Sequence, residues 1–257
     1  MNKIVIGAAE AIAAAVENGQ TIAVGGFGLC GTPSALLEAL LDSGATDLHI
    51  ITNNCGPEDS AMTTLLRARR IRHVTASYIG DNPVFRRQYL DGSIGVDLVP
   101  QGTLAEKLRN GGAGIPAFYT PTGVGTALAE GAIPVRYRTP IEVIEHSKPR
   151  EVRIIGGRPC VLEESLTADV ALLRAETADA QGNLRFRGSA QNFNPLCAMA
   201  SATSIVEVQD TVATGELHPD DVHLPGIFIS AVVSLHGTMH KPIERLRTSG
   251  SQALLNL

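Results

Sequence analysis

The stretch Asn18-Gly19-Gln20-Thr21-Ile22-Ala23-Val24-Gly25-Gly26-Phe27-Gly28-Leu29-Cys30-Gly31-Thr32-Pro33 decides the fold class. An apolar run over 21–24 ends abruptly in a glycine-rich segment. Thr32 and Pro33 then open a helical pattern carrying Leu36, Leu37, Leu40 and Leu41. The three parts form a strand–loop–helix unit. Glycine in the loop lets a ligand approach backbone N–H groups with no Cβ in the way. The helix that follows turns its free N–H groups and the positive end of its dipole toward the loop, which suits anionic or carbonyl-bearing ligands. Gly25, Gly26, Phe27, Gly28, Leu29, Cys30 and Gly31 are therefore candidate ligand contacts.

Gly26-Phe27-Gly28-Leu29-Cys30-Gly31 also spells G-x-G-x-x-G, the dinucleotide fingerprint. That motif needs an acidic residue after the second strand to hold a ribose hydroxyl. Here the second strand, 48–52, is followed by Asn53-Asn54, and Asp47 precedes it. A Rossmann-type NAD-binding oxidoreductase is the weaker reading.

Outward from this unit, the pattern predicts a helix over 7–17, strand 21–24, helix 33–42, strand 48–52 and a helix near 60–69. Strand 71–76, a helix near 82–90, strand 94–99 and helix 103–110 continue it. Such alternation indicates an α/β fold with a mostly parallel, doubly wound sheet. The rhythm breaks after Gly111. Segment 111–149 is dense in glycine and proline and reads as loop with short elements. A hairpin turning at Gly156-Gly157, strands at 169–175, 184–186 and 203–208, a helix near 195–201 and a final strand over 227–233 complete a loop-rich second half. Residues 1–240 read as a single α/β domain and 241–257 as a C-terminal tail.

Hydrophobic residues at 44% and charged residues at 18% place the 257-residue chain among ordinary globular proteins. Aromatics at 4%, no Trp and a net charge of −5 give no stacking platform or basic footprint for nucleic acid. No apolar stretch is long enough for a membrane-spanning helix, and no signal-peptide core is present. Cys30, Cys55, Cys160 and Cys197 are scattered, with no C-x-x-C pair. They read as reduced thiols of a cytoplasmic protein. His236 and His240 are four apart, but Gly237 and Pro242 disfavour a helix there and no third ligand is evident, so no metal site is expected.

Gln101 follows the strand over 94–99 and precedes Thr103, which with Glu106 spells a capping box. Its side chain then lies at the carboxyl end of a parallel strand, as do Asn53, Asn54 and the glycine loop. Ligands of open α/β sheets bind at that edge. Neutral donors converging there suit the polarisation of a carbonyl.

The opening stretch resembles the first signature of the family I coenzyme A transferases. Ser77-Tyr78-Ile79-Gly80-Asp81-Asn82, Arg87-Gln88-Tyr89-Leu90, Pro100-Gln101-Gly102-Thr103-Leu104-Ala105-Glu106, Ala190-Gln191-Asn192-Phe193-Asn194 and Ile243-Glu244-Arg245-Leu246 resemble the A (alpha) subunit of 3-oxoacid CoA-transferases. The resemblance implies transfer of CoA from a donor such as succinyl-CoA to a 3-oxo acid such as acetoacetate or 3-oxoadipate. One subunit of an acetate or short-chain fatty acid CoA-transferase is the alternative. It further implies that Gln101 donates an amide hydrogen bond in the oxyanion hole, with CoA thioesters as substrates and no permanently bound cofactor. The nucleophilic glutamate belongs, on this resemblance, to a Ser-Glu-Asn-Gly motif in a partner B subunit. Glu17-Asn18-Gly19 only imitates it: Val16 stands in place of the serine, and Glu17 falls at the wrong end of the sheet.

Overall fold

Ile22, Ala23 and Val24 are buried on both faces of a sheet, which is why their run is unbroken rather than alternating. The computed structural model describes residues 2–5, 7–80 and 82–236; the expected tail over 241–257, His240 and the Ile243-Glu244-Arg245-Leu246 motif lie outside them. Strand β1 (Ile4–Val5) and helix α1 (Ala8–Ala15) lead into β2 (Thr21–Val24). Then come α2 (Ser34–Ser43), β3 (Leu48–Ile51), α3 (Ala61–Arg67), β4 (Ile71–Ala76), α4 (Pro83–Leu90), β5 (Gly95–Leu98) and α5 (Gln101–Gly112). The next segment carries β6 (Ala117–Thr120), α6 (Ala127–Glu130), β7 (Pro134–Thr139), β8 (Glu142–His146), β9 (Val152–Ile155) and β10 (Arg158–Glu164). The chain returns through β11 (Ala168–Asp179), β12 (Leu184–Arg185), α7 (Asn194–Met199), β13 (Ser201–Val212) and β14 (Ala231–Ser234).

The main sheet runs β1-β14-β13-β11-β2-β3-β4-β5, all parallel, with β12 antiparallel on β11. The chain winds outward from β2 to β5, then returns to β11 on the other side of β2. The order in which strands are added therefore reverses between β2 and β11. One face packs Ile22, Val24, Ile50, Val74 and Val96 under α1 to α4. The other packs Ala23, Ile51, Leu173 and Val206 under α5 and α7. Helix starts follow local chemistry: Ser60 Oγ accepts from Thr63 N–H at α3, and Asn82 Oδ1 accepts from Val84 and Phe85 N–H at α4, with Pro83 behind it.

Four expectations need correction. The 111–149 region is not mainly loop; β7 and β8 pair with each other, and β6 joins β10 and β9 in a small sheet. β11 and β13 run past 169–175 and 203–208, and pair in register from Ala168–Ser201 to Asp179–Val212. The final strand begins only at Ala231, since a 3-10 turn occupies Gly226–Phe228. The capping box at Thr103 does not form. Pro100, with its pre-set φ, takes the N-cap position, and α5 starts at Gln101. Thr103 is buried in the first turn with no partner for its hydroxyl among the described residues, and Glu106 binds Arg109 instead.

His49 and His73 lie on neighbouring strands, ring edge against ring face at 4.8 Å. His49 Nε2 bonds Thr75 Oγ1 at 2.8 Å, and His73 Nε2 bonds Asp97 Oδ2 at 2.9 Å. Burial, with a smaller repulsion from His73, lowers the His49 pKa to about 4. The fold thus disfavours protonated His49, whereas the unfolded chain protonates it from about pH 6.5 downward. Stability is complete above that pH and is lost as pH falls toward about 4, by about 3 kcal/mol at 1.36 kcal/mol per unit. Denaturant titrations between pH 4 and 7 should show that slope in the native chain and a flatter one in His49→Gln.

Candidate functional site

The glycine loop is a two-residue hairpin. Phe27 N–H donates to Cys30 O at 2.9 Å and Cys30 N–H to Phe27 O at 3.0 Å. Gly28 occupies the first turn position with φ +63°, as a type II′ turn requires. Gly25 is glycine because of its own chain: a Cβ there would lie 1.9 Å from Asn194 Oδ1. Asn194 is fully buried. Its Oδ1 accepts from Arg174 N–H, and its Nδ2 donates to Gly31 O and Ala190 O.

Beneath the loop, the N-terminus of α2 is closed from inside. Leu36 N–H donates to Glu207 Oε2 at 2.9 Å, and Arg174 Nη1 donates to Glu207 Oε1 at 2.6 Å. Arg174 and Glu207 are 3% and 0% exposed and face each other in register on β11 and β13. The dipole that a dinucleotide phosphate would use already meets a buried carboxylate.

The open space lies one step along the sheet. A pocket of about 560 Å³ opens at the carboxyl ends of β3, β4 and β5, walled by Phe27, Gly28, Asn53, Asn54, Gly56 and Pro57, and by Ser77, Tyr78, Ile79 and Gln101. None of these is a carboxylate, a histidine, a lysine or an arginine. Asn53 is buried, and its Oδ1 accepts from Ser77 Oγ at 2.7 Å and from Gln101 Nε2 at 2.9 Å. Ser77 N–H also donates to Asn53 O. One Nε2 proton of exposed Gln101 is therefore held by Asn53, and the second is left for a ligand.

Of the expected contacts, Phe27, Gly28, Asn53, Asn54 and Gln101 share this pocket. Gly25 and Gly26 lie below it against Asn194 and Thr32, and Gly31 packs on Ala190 and Asn194. Leu29 sits at the hairpin tip, while Cys30 Sγ lies 3.2 Å from Ser189 Oγ; neither lines the pocket. Ser77, Tyr78 and Ile79 were not among the expected contacts, although they directly follow β4 and so share the same edge. Glu17 is exposed and precedes β2, at the opposite edge. His236 is exposed, 3.9 Å from Asp210, and no group of three metal-binding side chains occurs among the described residues. No helix there is long and apolar enough to cross a membrane.

Comparison with known proteins turns this geometry into kinship. The model of the family described as coenzyme A transferase matches residues 5–235. This chain belongs to the coenzyme A transferase family. It is 49% identical over 238 residues to the A subunit of the succinyl-CoA:3-ketoacid coenzyme A transferase of Xanthomonas campestris, covering 93% of this chain and 90% of that one. It is 45% identical to the mitochondrial succinyl-CoA:3-ketoacid coenzyme A transferase 2A of Mus musculus, covering 92% of this chain and 45% of the mouse protein. The fold matches that of an acyl-CoA transferase from Escherichia coli O157:H7 with a TM-score of 0.78 at 21% identity, covering 91% of this chain. The match covers 47% of the Escherichia coli chain, so this transferase chain spans about half of that protein's length.

In this family member the buried ion pair is a point of vulnerability. Removing one partner of such a pair strands the other charge and costs about 3–5 kcal/mol. Arg174→Met should lower stability by that amount in denaturant unfolding, and Arg174→Met with Glu207→Leu should recover much of it.

Proposed function

We propose that this chain is the A subunit of a heteromeric CoA-transferase that moves CoA from an acyl-CoA donor, succinyl-CoA foremost, to a 3-oxo acid such as acetoacetate or 3-oxoadipate. The observation that carries the reading is the Ser77–Asn53–Gln101 chain in a pocket whose described residues include no ionised acid or base. Such a pocket can polarise a thioester carbonyl, and its described residues offer no carboxylate to attack it. The nucleophile, a glutamate, comes from a partner B subunit. The names of the relatives support this division, as does the pairing of this unit with a second half of similar length in the mouse protein.

In the first step the partner's carboxylate oxygen bonds to the acyl carbon, and the carbonyl electrons move onto oxygen. The Gln101 Nε2 proton not held by Asn53 donates to that oxyanion. Collapse breaks the C–S bond and releases CoA thiolate. The thiolate attacks the glutamyl carbonyl of the mixed anhydride, freeing the donor acid and leaving CoA on the glutamate. The acceptor acid then takes CoA by the same steps reversed. CoA thioesters are substrates, and the scheme uses no metal or resident cofactor. The place of action is the cytoplasm, with neither membrane nor nucleic acid as partner. Transfer to acetate or a short fatty acid uses the same chemistry and is the second reading. A nicotinamide enzyme is disfavoured by the closed N-terminus of α2.

A fixed amide donor stabilises the charged transition state more than the neutral ground state, so its loss falls on kcat. In the assembled complex Gln101→Ala should stay folded and lose ~10²–10³ in kcat, about 2.7–4 kcal/mol. Gln101→Glu should be no better, since it sets a like charge beside the oxyanion. The chain without its partner should turn nothing over. A kcat loss below about tenfold on Gln101→Ala, with a normal thermal melt, would reduce Gln101 to scaffolding.

A further inference from the structure

The hairpin that walls the pocket is held by a segment distant in sequence. Asn192, between a 3-10 turn (Gly188–Gln191) and α7, links that segment to the hairpin through its side-chain amide. Its Nδ2 donates to Cys30 O at 3.1 Å and to Ser189 O at 2.8 Å, and its Oδ1 accepts from Phe193 N–H at 2.7 Å. One residue further along the hairpin, Asn194 Nδ2 donates to Gly31 O. Cys30 Sγ and Ser189 Oγ lie 3.2 Å apart. The returning limb of the hairpin is thus clamped at two successive carbonyls. At the tip, Gly28 O accepts from Thr32 Oγ1 at 3.2 Å, a bond within the same loop. Phe27 is 49% exposed, and the N–H groups of Gly28 and Leu29 have no partner among the described residues.

We propose that Asn192 is a positioning residue for CoA transfer. By holding Cys30 O it fixes the Phe27–Gly28 wall at a set distance from Gln101, so that the thioester seats between them. The inference rests on the transferase reading and adds to it a residue that touches no substrate. Asn192 acts through a wall that contacts substrate in both ground and transition states, so its loss should raise KM rather than lower kcat. Asn194 serves the same limb, but its full burial beside Arg174 makes its removal a folding lesion, which leaves Asn192 as the residue to test.

The absence of tryptophan from the chain provides a reporter: Phe27→Trp places the sole fluorophore on the wall. In that background, on the free full chain, Asn192→Ala should lower the steady-state anisotropy of Trp and increase its quenching by acrylamide, with the thermal melt nearly unchanged. Asn192→Asp, the same size without the donor, should do likewise. In the assembled complex with Phe27 intact, either variant should raise KM for the acyl-CoA by about three- to tenfold, as expected for one or two lost hydrogen bonds. The kcat should stay within about twofold. Unchanged anisotropy and quenching in both variants would overturn the clamp. A looser wall with unchanged KM would overturn the positioning role. Failure of the transferase reading shows separately, as no CoA transfer by the unsubstituted complex.

Discussion

The buried pair between Arg174 and Glu207 is the constraint on which the site depends. A carboxylate with no solvent exposure needs both a cation and further donors to offset its lost hydration. It finds them in Arg174 on the neighbouring strand and in Leu36 N–H at the start of α2. That contact locks α2 to β11 and β13 beside the point where the strand order reverses. It also occupies the helix end that open α/β sheets commonly offer to phosphate. Gly25 then runs close against Asn194 with no room for a side chain, so ligand space is displaced toward β3, β4 and β5.

The displaced pocket is neutral in its described residues. Its polar groups are amides and hydroxyls, oriented by one another through Asn53 Oδ1. Donors fixed before reaction need no reorganisation when charge develops, and here no ionised side chain in the wall competes for them. A wall without a carboxylate also leaves an arriving one unrepelled. On the proposed function, that neutrality suits one half of a site completed by a partner's carboxylate.

Much of this was legible in the chain. The apolar run over 21–24 and the leucines of α2 announced strand and helix, and the carboxyl-edge rule placed Asn53, Asn54 and Gln101 together. What stayed hidden depended on distant partners. Arg174 and Glu207 fell inside the expected strands, but only the register between β11 and β13 shows that the two charges meet. Gly25 and Gly31 make room for Asn194 and Ala190, a need hidden in the sequence because the approaching groups come from far along the chain. The short exposed strands β7 and β8 lack the alternation that burial imposes, so they resembled loop.

Where an acyl-CoA binds is the decisive question. A crystal structure of this chain assembled with its partner and a non-hydrolysable acyl-CoA thioether ketone would locate it. The account predicts the ketone oxygen about 3 Å from Gln101 Nε2, against the Phe27–Gly28 wall, with α2 still capped by Glu207. A ligand phosphate at the Leu36 N–H, with Glu207 displaced and the Gln101 pocket empty, would contradict it.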